Sequence, residues 1–192
     1  MSKGRLEAFS DGVVAILITI MVLELKIPKQ GDWRALQPLV PVFLAYGLSY
    51  VSLGIYWNNH HHMFHMVDRI NGKILWANLH LLFWLSLVPF VTGWVGENPT
   101  ASVPTAVYGL VLVLSAVAYV VLQRTIVAHQ GPSSKLAEAV GMDVKGQISL
   151  ALYILALPLA FVRPQISDGI YVLVAAMWFI PDRRIEGRVN GR

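Results

Sequence analysis

Across 192 residues the chain is 56% hydrophobic but only 14% charged, and its mean hydropathy is +0.58. Soluble globular domains carry about 25% charged residues, and a chain of this length cannot build a core large enough to hide so much apolar surface from water, so lipid is its natural solvent. The absence of cysteine excludes disulfides, thiolate metal sites and cysteine nucleophiles, and a net charge of +4 scattered between apolar runs gives no nucleic-acid patch.

The first segment is unusual. Glu7 and Asp11 interrupt the place where the apolar stretch of a cleavable signal peptide would lie, so none is expected. The uncharged run Gly12–Leu23 is only 12 residues, bracketed by Asp11 and Glu24, although helix-compatible sequence extends back to Arg5. Charge in hydrocarbon costs several kcal/mol on most scales. Such a helix belongs inside an assembly, with protein or water around its polar positions.

Three runs free of Asp, Glu, Lys and Arg follow: Leu39–Trp57, Ile74–Val95 and Val103–Leu122, with lengths of 19, 22 and 20 residues. A hydrocarbon core about 30 Å thick needs roughly 20 helical residues, so each is long enough to cross. Ile148–Val162 and Ile166–Ile180, the latter with Asp168 near its start, are shorter candidates. The expected fold is all-α, a single six-helix domain over 1–192, with transmembrane spans near 5–26, 38–58, 74–95, 103–123, 147–163 and 166–181.

Six spans place both termini on one side of the membrane. With the amino terminus inside, the inner segments hold 11 Lys and Arg residues (Arg183, Arg184, Arg188 and Arg192 of the basic tail among them) and the outer segments hold 4. The positive-inside rule therefore favours cytoplasmic termini. The stretch Ala128–Gly146 reads as a cytoplasmic loop with a short helical turn.

On the first helix, Ile16, Thr19, Ile20 and Leu23 recur at i, i+3, i+4 and i+7, one helical face. Spacing alone fits an ordinary packing stripe equally well. Ser10-Asp11-Gly12 could cap a helix beginning at Gly12, but that helix would be too short to span. If the helix starts near Arg5, then Arg5 and Asp11 sit about 120° apart around it, and each needs partners from other helices. Asn58, Asn59, His60, His61, His62 and His65 end the second span, and Asn78 and His80 lie early in the third. A buried network of Arg5, Asp11, one histidine and an asparagine is the expectation.

His61 and His65 at i, i+4 could grip a metal, but Asp68 is the only acid nearby. Hydrogen bonding to neighbouring helices is the preferred role, and neither a metal nor a cofactor is expected. Thr105-Ala106-Val107-Tyr108-Gly109 superficially matches the Thr-Val-Gly-Tyr-Gly carbonyl filter. It lacks the first glycine and opens a helical span, so it is rejected. No phosphate loop, zinc-protease motif or serine elbow appears, and the chain is not expected to be an enzyme.

The residues Arg5-Leu6-Glu7-Ala8-Phe9-Ser10-Asp11 match the Arg-x-x-x-Phe-Ser-Asp motif of the transmembrane protein 175 family of potassium channels. Asn78-Leu79-His80-Leu81-Leu82-Phe83 and Ser86-Leu87-Val88-Pro89-Phe90 resemble that family's third-helix pattern. The resemblance covers nearly the whole chain. It implies that the first helix lines the pore, with Ile16 at the narrowest point, Thr19 or Ile20 beside it and Leu23 farther out. It also implies that Arg5, Phe9, Ser10, Asp11, Asn78 and His80 form the structural motif that supports gating. A single six-helix repeat looks like the prokaryotic form. It implies a homotetramer in a cell membrane conducting potassium ions; the alternative is of a different class, a small proton-coupled secondary transporter using Asp11 and the His60–His65 cluster. The apolar middle of the first helix favours the channel, since carriers place charge at the bilayer midplane.

Overall fold

The computed structural model describes residues 2–140 and 143–179; the basic tail with Arg183, Arg184, Arg188 and Arg192 lies outside the described residues. Every regular element is helical: α1 (Lys3–Leu23), a 3-10 segment (Trp33–Leu39), α2 (Val40–His65), α3 (Gly72–Ser86), α4 (Val88–Glu97), α5 (Ser102–Gln130), the short α6 (Lys135–Val140), α7 (Val144–Val162) and α8 (Pro164–Phe179). Among the described residues five stretches are long and apolar enough to cross a membrane: α1, the 3-10 segment joined to α2, α3 joined to α4, α5 and α7.

The third apolar run is two helices. The break falls at Leu87, two residues before Pro89. Proline lacks the amide hydrogen and crowds the carbonyl four residues earlier, so a straight helix cannot continue through this point. α2 and α5 run past the uncharged stretches that identified them, to His65 and Gln130. Helices do not stop where hydrocarbon ends; polar side chains continue them into the interface. At the other end of α5, Gly131 adopts φ 92°, a left-handed conformation that closes the helix.

α5 is the central element, packed on α3, α4, α7 and α8, whereas α1 lies at the side against α2, α3 and α4. Hydroxyl groups stitch the apolar core. Ser49 of α2 and Tyr108 of α5 are 3.0 Å apart, and Thr92 of α4 donates to Ser49 at 2.6 Å. Ser167 donates to the Ala156 carbonyl between α8 and α7, and Tyr171 reaches the Thr105 carbonyl of α5 at 3.1 Å.

That last contact depends on Gly109. A Cβ there would meet the Tyr171 hydroxyl, and would lie 2.9 Å from its Cζ and 3.1 Å from Leu157 Cδ2. Tyr171 is fully buried, so its ring cannot swing into open space. Gly109→Val should therefore destabilise the chain by about 1–3 kcal/mol through overpacking. The check is the thermal midpoint in detergent, with Val107→Ala, on the same helix, as a control.

Candidate pore-lining helix and its anchors

α1 has two faces of different character. Leu6, Ser10, Val14, Leu17 and Met21 are buried against the neighbouring helices. At 100° per residue, Ile16, Thr19, Ile20 and Leu23 form a stripe centred about 130° away, and all four are exposed on the chain, Ile16 by 57% and Leu23 by 81%. Exposed apolar side chains are ordinary on a helix that faces lipid. The same stripe, however, continues through Gly12 and Phe9 to Arg5, and Asp11 flanks it, all of them exposed. A lipid-facing surface would not carry that charge along a helix this short. Thr19 turns its hydroxyl back to the Ile16 and Ala15 carbonyls, at 2.9 and 3.1 Å.

Behind the stripe runs a buried chain of hydrogen bonds across three helices. His60 Nε2 of α2 lies 2.8 Å from Asn78 Oδ1 of α3; because the amide oxygen only accepts, Nε2 carries the proton. Asn78 Nδ2 donates to Ser10 Oγ at 2.9 Å, and Ser10 donates to the Leu6 carbonyl at 2.9 Å. Ser10 and Asn78 are each only 2% exposed. Beside them, Trp57 Nε1 of α2 donates to Asp11 Oδ1 at 3.0 Å. At the far end of the helix, Lys26 and Glu97 form an exposed ion pair of 2.6 Å that ties the chain after α1 to the end of α4. The hydrogen bond and charge of Glu97 raise the Lys26 pKa above the ordinary lysine value. The attraction is therefore present at neutral pH and, on the alkaline side, is lost as pH rises past that raised value.

The network differs from the expected one in its members. Arg5 makes no ion pair or hydrogen bond among the described residues, because it lies on the outward stripe, about 100° from inward-facing Leu6. Asp11 pairs with an indole rather than with a histidine. Phe9 is 51% exposed. His80 is exposed and accepts a hydrogen bond at 2.9 Å from Trp84, one turn along its own helix. Ser10, Asn78 and His60 are the residues brought together. Trp57 escaped notice in the sequence, although it stands one turn before His61 with its polar edge at the depth of Asp11. His61 stacks between Trp57 and His65, with ring centres 6.0 Å from each. Among the described residues no group of three metal-ligating side chains forms.

Loss of the carboxylate in Asp11→Ala should loosen α1 from α2 at this turn. The expected result is a lower yield of assembled complex by size-exclusion chromatography. Asp11→Asn, which keeps an acceptor for Trp57, should restore it.

Residues 5–89, which contain nearly all of α1 together with Trp57, His60 and Asn78, match the family described as Endosomal/lysosomal potassium channel TMEM175. A potassium channel of Chryseobacterium sp. (strain P1-3) is 55% identical over 186 residues, covering 97% of both chains. The chain belongs to the TMEM175 family. A potassium channel of Streptomyces collinus is 40% identical over 125 residues, 61% of each chain. The fold is also shared: the crystal structure of a lysosomal potassium-selective channel TMEM175 homolog from Chamaesiphon minutus superposes with a TM-score of 0.80 at 31% identity, covering 93% of this chain and 96% of that one. Within the TMEM175 family the chain is thus similar to the Chryseobacterium and Chamaesiphon members over nearly its whole length.

Proposed function

We propose that the chain is one subunit of a homotetrameric potassium channel whose conduction path is lined by the outward stripe of α1. The observation that carries this reading is the stripe itself: Ile16, Thr19, Ile20 and Leu23 face away from the subunit on a helix whose amino-terminal half carries Arg5 and Asp11. Four copies around an axis would shelter those charges and set four Ile16 side chains in a ring. An apolar ring blocks ions by expelling water, since an ion stripped of hydration without replacement is very costly. The bacterial relatives named as potassium channels supply the permeant ion, which needs no cofactor to pass.

In this reading α8 supplies the sixth crossing, both termini are cytoplasmic as the 11-to-4 charge split favours, and the complex sits in the plasma membrane of a prokaryotic cell. The deciding experiment is ion flux from purified protein in liposomes under a potassium gradient, with sodium for comparison and a proton-flux control. Fast, passive, potassium-preferring flux is the expected result. Slow, saturable flux coupled to protons would instead mark a carrier, and Asp11 with the His60–His65 cluster would become its site.

A further inference from the structure

Away from α1, a partly open cavity of about 60 Å³ lies between α2, α5, α7 and α8. Its wall is mostly apolar, and one aromatic side chain from each helix lines it: Tyr56, Tyr119, Tyr153 and Trp178. Tyr56 and Tyr119 meet edge to face, with ring centres 6.1 Å apart. Asn59 and Asp143 add an amide and a carboxylate to the same wall.

Several of these polar groups are left without a partner among the described residues. Asp143 Oδ1 caps α7 by accepting from the Gly146 amide at 2.9 Å, while Oδ2 accepts no hydrogen bond from a described residue. Tyr119 reaches the Asn59 backbone carbonyl at 3.3 Å. The Asn59 side chain and the Tyr56 and Tyr153 hydroxyls make no hydrogen bond among the described residues. Polar groups facing a low-dielectric cavity call for something polar within it.

The chemistry of the wall selects that guest. Aromatic faces attract cations, and the single ionised group of the lining, Asp143, is an acid. The Trp178 ring already draws one ammonium, with Lys145 Nζ 5.9 Å from its centre. An anion would meet the carboxylate and the negative ring faces. A purely apolar guest would leave the amide and hydroxyls unpaired. By the measure in which one water needs about 10–15 Å³, the cavity holds roughly four to six non-hydrogen atoms.

We propose that this cavity binds a small primary ammonium ion of about the size of ethanolammonium. Its N–H groups would be received by Asp143 Oδ2 and the Asn59 amide oxygen, and its methylenes by the tyrosine and tryptophan rings. An occupant touches Tyr56 and Asn59, which share one turn of α2 with Trp57 and His60, the two residues that hold α1. The ammonium group has two sources, a free amine or the headgroup of a phosphatidylethanolamine lipid.

The test is calorimetric titration of ethanolammonium chloride into the full chain in phosphatidylglycerol nanodiscs, with 1-propanol as a neutral counterpart of equal non-hydrogen atom count. Saturable binding of one ethanolammonium per chain is expected, with no saturable binding of 1-propanol. Asp143→Asn should weaken it at least about tenfold while keeping the helix cap, since asparagine caps as well as aspartate. Tyr153→Phe, which removes only a hydroxyl, should weaken it severalfold. Competition by phosphatidylethanolamine added to the disc would identify the headgroup as the source; unchanged binding in its presence would identify the free amine. Equal affinity for 1-propanol, affinity unchanged in both variants, or no saturable binding would each overturn the proposal. Because binding is read without ion flux, failure here leaves the channel reading standing.

Discussion

Ile16→Asn is expected to raise basal ion flux through the reconstituted protein by about tenfold or more and to bring sodium flux close to potassium flux, by wetting an apolar constriction. Ile16 is more than half exposed on the chain and lies at the middle of the outward stripe of α1. Four amides in place of four sec-butyl groups would offer water both donors and acceptors at the point where an ion would otherwise lose its shell. Burial within the subunit is untouched, so expression and assembly should match the parent. Ile16→Val, which shortens the side chain but keeps it dry, should change flux far less. Parent-like currents from Ile16→Asn would move the constriction along the stripe, with Leu23→Asn the next variant to measure.

Asn78→Ala should be the most damaging single change in the support of α1. It removes both ends of a bridge: the acceptor for His60 and the donor to Ser10, in a place that is 2% exposed. Ser10 still donates to the Leu6 carbonyl, but the His60 N–H is left buried with nothing to accept it. An unsatisfied buried donor costs about 1–3 kcal/mol, on top of the interhelical bonds themselves, which average roughly 0.6 kcal/mol each in membranes. Lower thermal stability in detergent and loss of assembled complex are expected. Ser10→Ala should cost less, since it leaves the His60–Asn78 pair intact. Equal stability of Asn78→Ala and the parent would remove the bridge as a support.

The helical runs were legible wherever charge is absent, because lipid exerts a strong and simple selection on composition. That criterion reports where hydrocarbon lies rather than where a helix ends. The apolar runs therefore stop at Trp57 and Leu122, before the polar Asn58 and Gln123, while α2 and α5 continue to His65 and Gln130. Hydropathy is equally blind to backbone geometry: Ile74–Val95 reads as one apolar stretch and lies in one candidate span, but that span is two helices that meet at Leu87, two residues before Pro89. In the candidate site, period and motif were enough to single out Ser10, Asp11 and Asn78. The pairings were not legible, because they depend on the rotation of α1 relative to α2 and α3. A turn of 100° separates the inward Leu6 from the outward Arg5, and nothing local in the sequence sets that angle. Trp57 was hidden for a related reason: in an apolar run an indole reads as bulk, and its one donor matters only once Asp11 stands opposite.

The interhelical hydrogen bonds that pin α1 lie in its amino-terminal half, while its other end is tied through the exposed Lys26–Glu97 ion pair of the following segment, and that gives the helix a mechanical advantage. Ser10 and Asp11 are pinned by hydrogen bonds, while between them and Leu23 the helix is held by the apolar contacts of Val14, Leu17 and Met21. With a rise of 1.5 Å per residue, Ile16 lies about 9 Å beyond the pin and Leu23 about 20 Å beyond it. A tilt of about 10° about Ser10 would swing Ile16 sideways by about 1.6 Å and Leu23 by about 3.4 Å. In the proposed tetramer, four copies moving together would widen an Ile16 ring by about 3 Å, close to the diameter of a water molecule. A rotation that breaks none of the pinned bonds is thus enough to exchange a dry passage for a wet one.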